Sequence, residues 1–506
     1  MPGSSGGSRP QRSVIIIGAG IAGLAAGCYA QMNGYSSLIF EHHSKSGGVA
    51  AAWRRGKYLI DGGIHFIMDP GSEIYREVGT CSPDSLAPMT DYGRFTDEAT
   101  GKSVTVSNDL DLFRSELKRL APEDGRLIDT LLDAAKQLRG LDMNMMSLAR
   151  PPELAGALDN LKMVWKMRGL LKFMTGKYSR TMDEFASGAR DPFLRDCLRN
   201  LFLPEVPVWF IVMVLALLAD QKVALLKGGC LDFIAPIEKR YKELGGAIQY
   251  KSTVERILVE SGKACGVRLE DGTEHRSDIV ISAADGHATI FDMLGGAFAG
   301  RDVRDRYAKW KLTRPMLTVS YGVKREFSGE PHFSMVLLKK PLTIAGKPQK
   351  ALSWRILGYG KTFAPEGSSI IQAIPETEWK PWNDLRTKDR AGYETEKKRV
   401  AADILERLEE RYPGIAKDVE MTDVATPYTT WRYTLNHEGA WGGWLITPEN
   451  VTKTLRITLP GLRDFYLAGQ WAMAGGSVPG CIYSGRNAIE LICKRDKRPF
   501  RVEAKR

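Results

Sequence analysis

Residues 13–41 read SVIIIGAGIAGLAAGCYAQMNGYSSLIFE, and this stretch decides the fold. Val14 to Ile17 form an unbroken apolar, β-branched run, the pattern of a strand covered on both faces in a parallel sheet. It leads into Gly18-Ala19-Gly20-Ile21-Ala22-Gly23 and then a helix of small residues (Leu24, Ala25, Ala26, Gly27, Ala30). Ser37 to Phe40 supply a second strand, and Glu41 closes it. A lone G-x-G-x-x-G says little. Set between a strand and a helix, with an acid ending the next strand, it is a dinucleotide-binding fingerprint. Gly18 makes the tight turn, Gly20 admits a pyrophosphate against the backbone, and Gly23 lets helix and strand pack closely. The helix start, at Ile21 and Ala22, turns its N–H groups and dipole toward the phosphates. Glu41 accepts from both hydroxyls of an adenosine ribose, and its charge disfavours a 2′-phosphate.

The segments beyond Glu41 select FAD over NAD. Directly after Glu41 and His42 come Gly47-Gly48, then Trp53-Arg54-Arg55, then Asp61-Gly62-Gly63-Ile64-His65-Phe66. A second glycine pair so soon after the ribose acid fits a loop that approaches the dinucleotide from its other side. At the far end, Asp464 to Gly469 reads as a buried strand ending in glycine. It is followed by Gln470, by Gly475-Gly476-Ser477-Val478-Pro479-Gly480, and by a helix from about Cys481 to Lys494. Proline at a helix start behind glycines again aims free N–H groups outward. An N-terminal fingerprint completed by a C-terminal strand–glycine–helix is how one chain encloses a large flavin.

These motifs resemble the flavoprotein superfamily of phytoene desaturases, carotenoid isomerases, retinol saturases and amine oxidases, and within it the phytoene desaturase-like oxidoreductases. The resemblance covers nearly the whole chain. It is carried by GAGIAGLAAG at 18–27, Glu41, the glycines at 47–48, DGGIHFI at 61–67, Lys227-Gly228-Gly229, the stretch 250–286, TPYTTWRY at 426–433 and AGQW…GGSVPG…SGRNA at 468–488. It implies an α/β fold: a Rossmann-type FAD-binding domain of the glutathione reductase/amine oxidase kind with an inserted α+β substrate domain. The cofactor residues it implies, beyond the fingerprint, are His42, Gly47, Gly48, Trp53, Arg54, Gly63, Ile64, His65, Ala284, Gly469, Gln470, Gly476, Val478 and Pro479, with the backbone of Val254 bracketing the adenine. Two positions depart from the pattern. Val49 stands where many members carry arginine, and Gln470 where an acid is usual; both lower the amine-oxidase reading.

Between the flavin segments the chain changes character. FAD-binding parts are expected at 12–84, 226–304 and 436–495, a helical part of the substrate domain at 85–225, its sheet at 305–435, and a basic tail at 496–506. Within 250–286, Val254, Ile257 and Val259 alternate against Cys265, Val267 and Leu269 about a Ser261-Gly262 turn. The helical block holds Met143, Met145, Met146, Met163, Met167, Met174 and Met182, which either line an adaptable apolar tunnel or fill a core. Strands are expected at Met316–Val323, His332–Leu338, Ala351–Leu357 and Ser369–Ile374, and a helix from Tyr393 to Glu410. Tyr428, Trp431, Tyr433, Trp441 and Trp444 form an aromatic cluster, either a gate to an apolar pocket or ordinary packing.

Lys and Arg total 71 against 60 Asp and Glu, a net charge of +11, which invites an anionic partner. Nucleic acid is not expected, because no basic patch joins a helix-turn-helix, zinc-finger or RRM pattern. A peripheral membrane surface fits better. Six basic residues and no acid lie between Lys162 and Met182, interleaved with Val164, Trp165, Leu170, Leu171 and Phe173. The fourteen-residue apolar run Val206–Ala219 is too short to span a bilayer and reads either as a core helix or as one dipping into lipid. Seven scattered cysteines without CxxC suit reduced thiols, and no targeting segment is evident in residues 1–12. The expected location is therefore cytoplasmic, peripheral on the inner membrane face. No histidine spacing suggests a metal.

The expected activity is FAD-dependent oxidoreduction at a C–C bond of a lipophilic polyene or isoprenoid. Desaturation, saturation and isomerisation all remain open, as does the electron acceptor. The alternatives are a flavin amine oxidase and a flavin-free, prenyl-binding escort-type protein; the intact fingerprint through Glu41 argues against the latter. His65 is the one acid/base candidate, since it follows the flavin-proximal glycines; its plainer reading is a histidine that hydrogen-bonds backbone.

Overall fold

The computed structural model describes residues 11–148 and 150–503, with backbone alone for 146–148, 157–160, 162 and 163. Strand Ser13–Ile17 is the centre of a five-stranded parallel sheet. The order is Ala247–Gln249, Ser36–Phe40, Ser13–Ile17, Ile279–Ser282, Phe465–Leu467. Ile15 sits opposite Leu38 on one side and Val280 on the other. Val14 to Ile17 are buried, which is why the strand is apolar throughout and does not alternate. Helix Ile21–Met32 comes next and packs between helices Cys230–Glu243 and Val478–Arg495. The stretch 250–286 forms the expected antiparallel ribbon, with Ile257 opposite Val267 and a turn at Ser261-Gly262, both at positive φ.

The second body is a seven-stranded sheet. Its order is Val419–Ala425, Thr318–Val323, Ser369–Ala373, Lys347–Leu357, Phe333–Ile344, Asp91–Asp97, Ser103–Ser107. The last two strands correct the expectation of a helical block from residue 85. Hairpin 91–107 belongs to the sheet, its first strand pairing in parallel with Phe333–Ile344. The local signal was weak because a register shift between Asp91 and Arg94 breaks the alternation and because the partner strand is remote in sequence. Strands Phe333–Ile344 and Lys347–Leu357 run longer than expected, and the long helix spans Arg390–Arg411.

The rest of the block is helical. Helix Leu110–Leu120 is capped by Asp109, whose carboxylate accepts from the N–H groups of Asp111 and Leu112. Val208–Ala219 is a core helix with eleven of its twelve residues buried, so it offers no apolar face to lipid; a helix hydrophobic all round belongs inside. Met143 and Met182 are buried, and Met145, Met167 and Met174 pack against the same core. None of these five lines the three cavities described below, so they pack there as core; the Met146 and Met163 side chains lie outside the described residues. The described part of the basic tail packs back onto the fold. Phe500 and Val502 pack against the dinucleotide-domain core, Arg240 donates to the Glu503 carbonyl, and the Arg498 guanidinium stacks on Tyr35. Among the described residues no helix is long and apolar enough to cross a membrane.

Candidate functional site

The carboxyl edge of the parallel sheet opens into a cleft where the first motifs converge. Gly18 has φ +95°, a left-handed conformation that glycine adopts freely, and its N–H donates to the Phe40 carbonyl at 2.8 Å. A Cβ on Gly23 would lie 1.9 Å from the Gly18 carbonyl oxygen, so only glycine fits that helix–strand contact. A Cβ on Gly20 would meet nothing nearer than the Gly47 carbonyl oxygen at 4.0 Å. The protein leaves that side of Gly20 open. Gly20 caps helix Ile21–Met32 with no side-chain hydrogen bond, so the first-turn N–H groups there have no intrahelical acceptor.

Glu41 is buried, and both carboxylate oxygens are fixed: one accepts from Ala19 N–H at 2.6 Å, the other from His43 N–H at 2.7 Å. Burial raises its pKa, while those two N–H groups and His42 pull it down. Two bonds leave lone pairs free for a ribose diol. His42 is held by Thr253 Oγ1 at 2.7 Å and the Arg432 carbonyl at 3.1 Å.

Most of the expected cofactor residues line this cleft: Gly18, Gly20, Ile21, Ala22, Glu41 and His42 from the first unit, Gly47, Gly48, Gly63 and Ile64 from the loops, Val254 and Ala284 from the middle segment, and Gly469, Gln470, Gly476 and Val478 from the last. Five others do not. Gly23 and Pro479 act from behind, as a packing glycine and a proline in the first turn of helix Val478–Arg495. Trp53 points away and donates to Asp423 at 3.1 Å, lining a neighbouring cavity of about 390 Å³. Arg54 is exposed, because strands 52–55 and 58–61 pair as a hairpin that carries it outward. His65 faces the substrate side.

Asp285 was missed, although it sits in the SAADG stretch at 282–286. It is buried in the cleft wall and accepts from Ala288 N–H and His437 N–H, each at 2.8 Å. Burial pushes its pKa up to about 6 against those bonds. FAD fits this cleft on the chain's own terms: a glycine cradle that a Cβ would fill, two helix starts, and an anchored acid at the end of the second strand.

Against the cleft lies a large cavity of about 1070 Å³ between the seven-stranded sheet and the helices. Trp441 lines both, as well as the 390 Å³ cavity, which Tyr428 and Tyr433 also line; Trp444 instead is fully buried packing. The walls of the large cavity include Phe66, Phe193, Phe202, Met316, Met335 and Leu337. Near its flavin side stand His65, His332 and Arg355. Burial, with Arg355 and His332 nearby, lowers His65 to about 3; burial and Arg355 lower His332 to about 4. Both imidazoles are therefore neutral at physiological pH. The buried Arg355 is paired with Asp61 at 3.2 Å and donates to Gln372 Oε1 and the Asp61 carbonyl, each at 2.6 Å. An arginine inside an otherwise buried strand, Leu352 to Leu357, is the signal by which the sequence could have disclosed it.

The comparisons with known proteins agree with this geometry. The family model "Flavin containing amine oxidoreductase" matches residues 21–493. A chloroplastic prolycopene isomerase of Arabidopsis thaliana is 24% identical over 93% of this chain and 81% of its own. A lycopene-forming phytoene desaturase of Paracoccus sp. is 23% identical over 95% of this chain and 97% of its own. Among solved structures, a cyclohexylamine oxidase from Brevibacterium oxydans superposes with TM-score 0.58 at 15% identity, covering 97% of this chain and 100% of that one. The protein is an FAD-dependent oxidoreductase, and its chain belongs to the flavin-containing amine oxidoreductase family.

Proposed function

We propose that this oxidoreductase acts at a C–C bond of a lipophilic polyene or isoprenoid held in the 1070 Å³ cavity. The observation that carries the reading is the size and lining of that cavity where it meets the flavin cleft at Trp441. It lies just above the ~300–1,000 Å³ range of ligand clefts, and its aromatic and aliphatic wall residues suit an extended apolar chain, while charged residues such as Asp183, Arg199 and Lys350 also line it. Relatives named prolycopene isomerase and phytoene desaturase support it. The bound FAD would supply the hydride acceptor or donor. The chain's residues would orient the substrate, exclude water and set the local charge. Amine oxidation is less well served on the flavin side, where the buried carboxylate of Asp61 is already paired with Arg355. His65 enters as a neutral imidazole that accepts a proton or shares a hydrogen bond. Product analysis after anaerobic incubation with a panel of polyenes tests the reading. Rapid flavin reduction by simple amines, with no change in any polyene, would overturn it.

Peripheral attachment to an anionic membrane is a second part of the proposal, and one helix supports it. Helix Ala157–Leu171 exposes Leu161, Val164 and Trp165, 51–67% accessible. Lys166, Arg168, Lys172 and Lys177 are exposed in and just beyond the same helix, and Arg168 stacks on Trp165 at 4.5 Å. Exposed apolar residues interleaved with cations are the composition of an interfacial helix.

A further inference from the structure

The flavin side of the large cavity is not uniformly apolar. His65, Tyr92 and His332 all line it. His65 and Tyr92 make no hydrogen bond among the described residues; His332 has only a distant approach, Nδ1 lying 4.0 Å from Asp91 Oδ1. The three stand together. His65 feels the charge of His332. The rings beside them in sequence interlock, with Phe66 5.9 Å from Tyr92 and Tyr92 6.2 Å from Phe333. All three are half-buried, with their polar atoms open to the cavity, so a hydrocarbon that filled it would leave each unmet at a cost of about 1–3 kcal/mol. Three unmet groups side by side in one wall are a poor surface for a pure hydrocarbon.

We infer that these three residues receive an oxygen function carried by the substrate, so that the polyene bears a hydroxyl or carbonyl group at the end nearest the flavin. This rests on the polyene reading and narrows it. The charge state favours a neutral group. Both imidazoles are uncharged, burial keeps the Tyr92 phenol protonated, and the nearby cation, Arg355, is already neutralised by buried Asp61. A carboxylate at this end would meet only a cation that Asp61 already balances. A hydroxyl or carbonyl needs only the donor of Tyr92 and the donor or acceptor nitrogens of the histidines.

The test uses the FAD-loaded protein under anaerobic, non-turnover conditions, with binding followed by the visible absorbance shift of the polyene. β-Carotene and zeaxanthin serve as probes, since they differ only in hydroxyls on the terminal rings. Zeaxanthin is expected to bind at least ~10-fold more tightly, because a site built for a hydroxyl penalises the analogue that lacks one. Tyr92→Phe keeps the ring packing and removes only the phenol oxygen; it should cut that preference several-fold, weakening zeaxanthin while β-carotene binds no less tightly. His332→Phe should act in the same direction. Equal binding of the two probes by the native protein, or a preference unmoved by both substitutions, would overturn the inference while the polyene reading stands. Binding of neither probe would overturn the polyene reading, and this assignment with it.

Discussion

Gly20→Val separates cofactor binding from folding. Gly20 has φ −72°, which valine adopts without strain, and its Cβ would meet only the Gly47 carbonyl oxygen, at 4.0 Å. Replacing glycine at a helix N-cap costs up to about 1 kcal/mol, so the apo-protein should unfold close to the native temperature. The open side of Gly20 is, however, where a pyrophosphate must approach the helix N-terminus. Displacing it forfeits charge-assisted hydrogen bonds of about 1.5–3 kcal/mol each. Losing two weakens FAD roughly 10²–10⁴-fold, enough to yield colourless protein. Gly23→Ala is the control with the opposite profile: its methyl would sit 1.9 Å from the Gly18 carbonyl oxygen, so stability falls first, by about 1–3 kcal/mol or more. The assays are flavin content after desalting and thermal denaturation of both apo-proteins. Gly20→Val retaining native FAD affinity would refute the assignment of the cleft.

His65→Ala should lower turnover roughly 10²–10⁴-fold, with flavin content intact, if the imidazole moves a proton; an undiminished rate makes it structural. His65 also links stability to pH. Its folded pKa, about 3, lies below the ordinary 6.5, so its contribution is fully present above pH 6.5 and is lost as pH falls toward 3. His65→Asn should therefore narrow the gap between stabilities at about pH 7.5 and 5, by at most about 1.4 kcal/mol per pH unit; urea titrations of both proteins read this, and identical slopes would contradict it. Flotation with anionic vesicles should succeed at low salt and fail at high salt, and Trp165→Glu should abolish it; binding indifferent to salt and to that substitution would remove the helix from the membrane reading.

The parts of the fold that could be read early are those whose cause is local. Strand Ser13–Ile17, the glycine turn, the helix and Glu41 sit within about thirty residues, and each carries its reason in its own side chains. The same holds for the ribbon at 254–269, whose alternation and Ser261-Gly262 turn fix its register. Hairpin 91–107 was hidden because its stability comes from Phe333–Ile344, more than two hundred residues away. Arg54 was misplaced for a related reason: a loop motif shows that a backbone approaches the cofactor, whereas the direction of its side chains depends on the hairpin pairing. Tyr92 and His332 carry no motif at all; they become a pair only when two strands align.

The Asp61–Arg355 pair shows how two separately legible motifs become one device. Asp61 opens the DGGIHFI segment, and Lys227-Gly228-Gly229 precedes helix Cys230–Glu243. In the fold, Asp61 Oδ1 accepts from Cys230 N–H at 2.8 Å, and a Cβ on Gly229 would lie 2.6 Å from the Asp61 carboxyl. Arg355 then ties Asp61 to the seven-stranded sheet, and Gln372 passes the chain on to Ser320 Oγ at 2.9 Å. Both charged side chains are at most 4% exposed, so desolvation offsets much of their attraction and the pair adds little net stability. Its effect is positional: it fixes the flavin-side glycines against the strand that floors the cavity. Arg355→Met should thus be costly, about 3–5 kcal/mol, because it leaves Asp61 buried and uncompensated. Asp61→Asn combined with Arg355→Met should recover much of that loss, since the uncompensated charge is gone. Denaturant titrations of the single and double variants decide it, and additive losses would show that the two residues act independently.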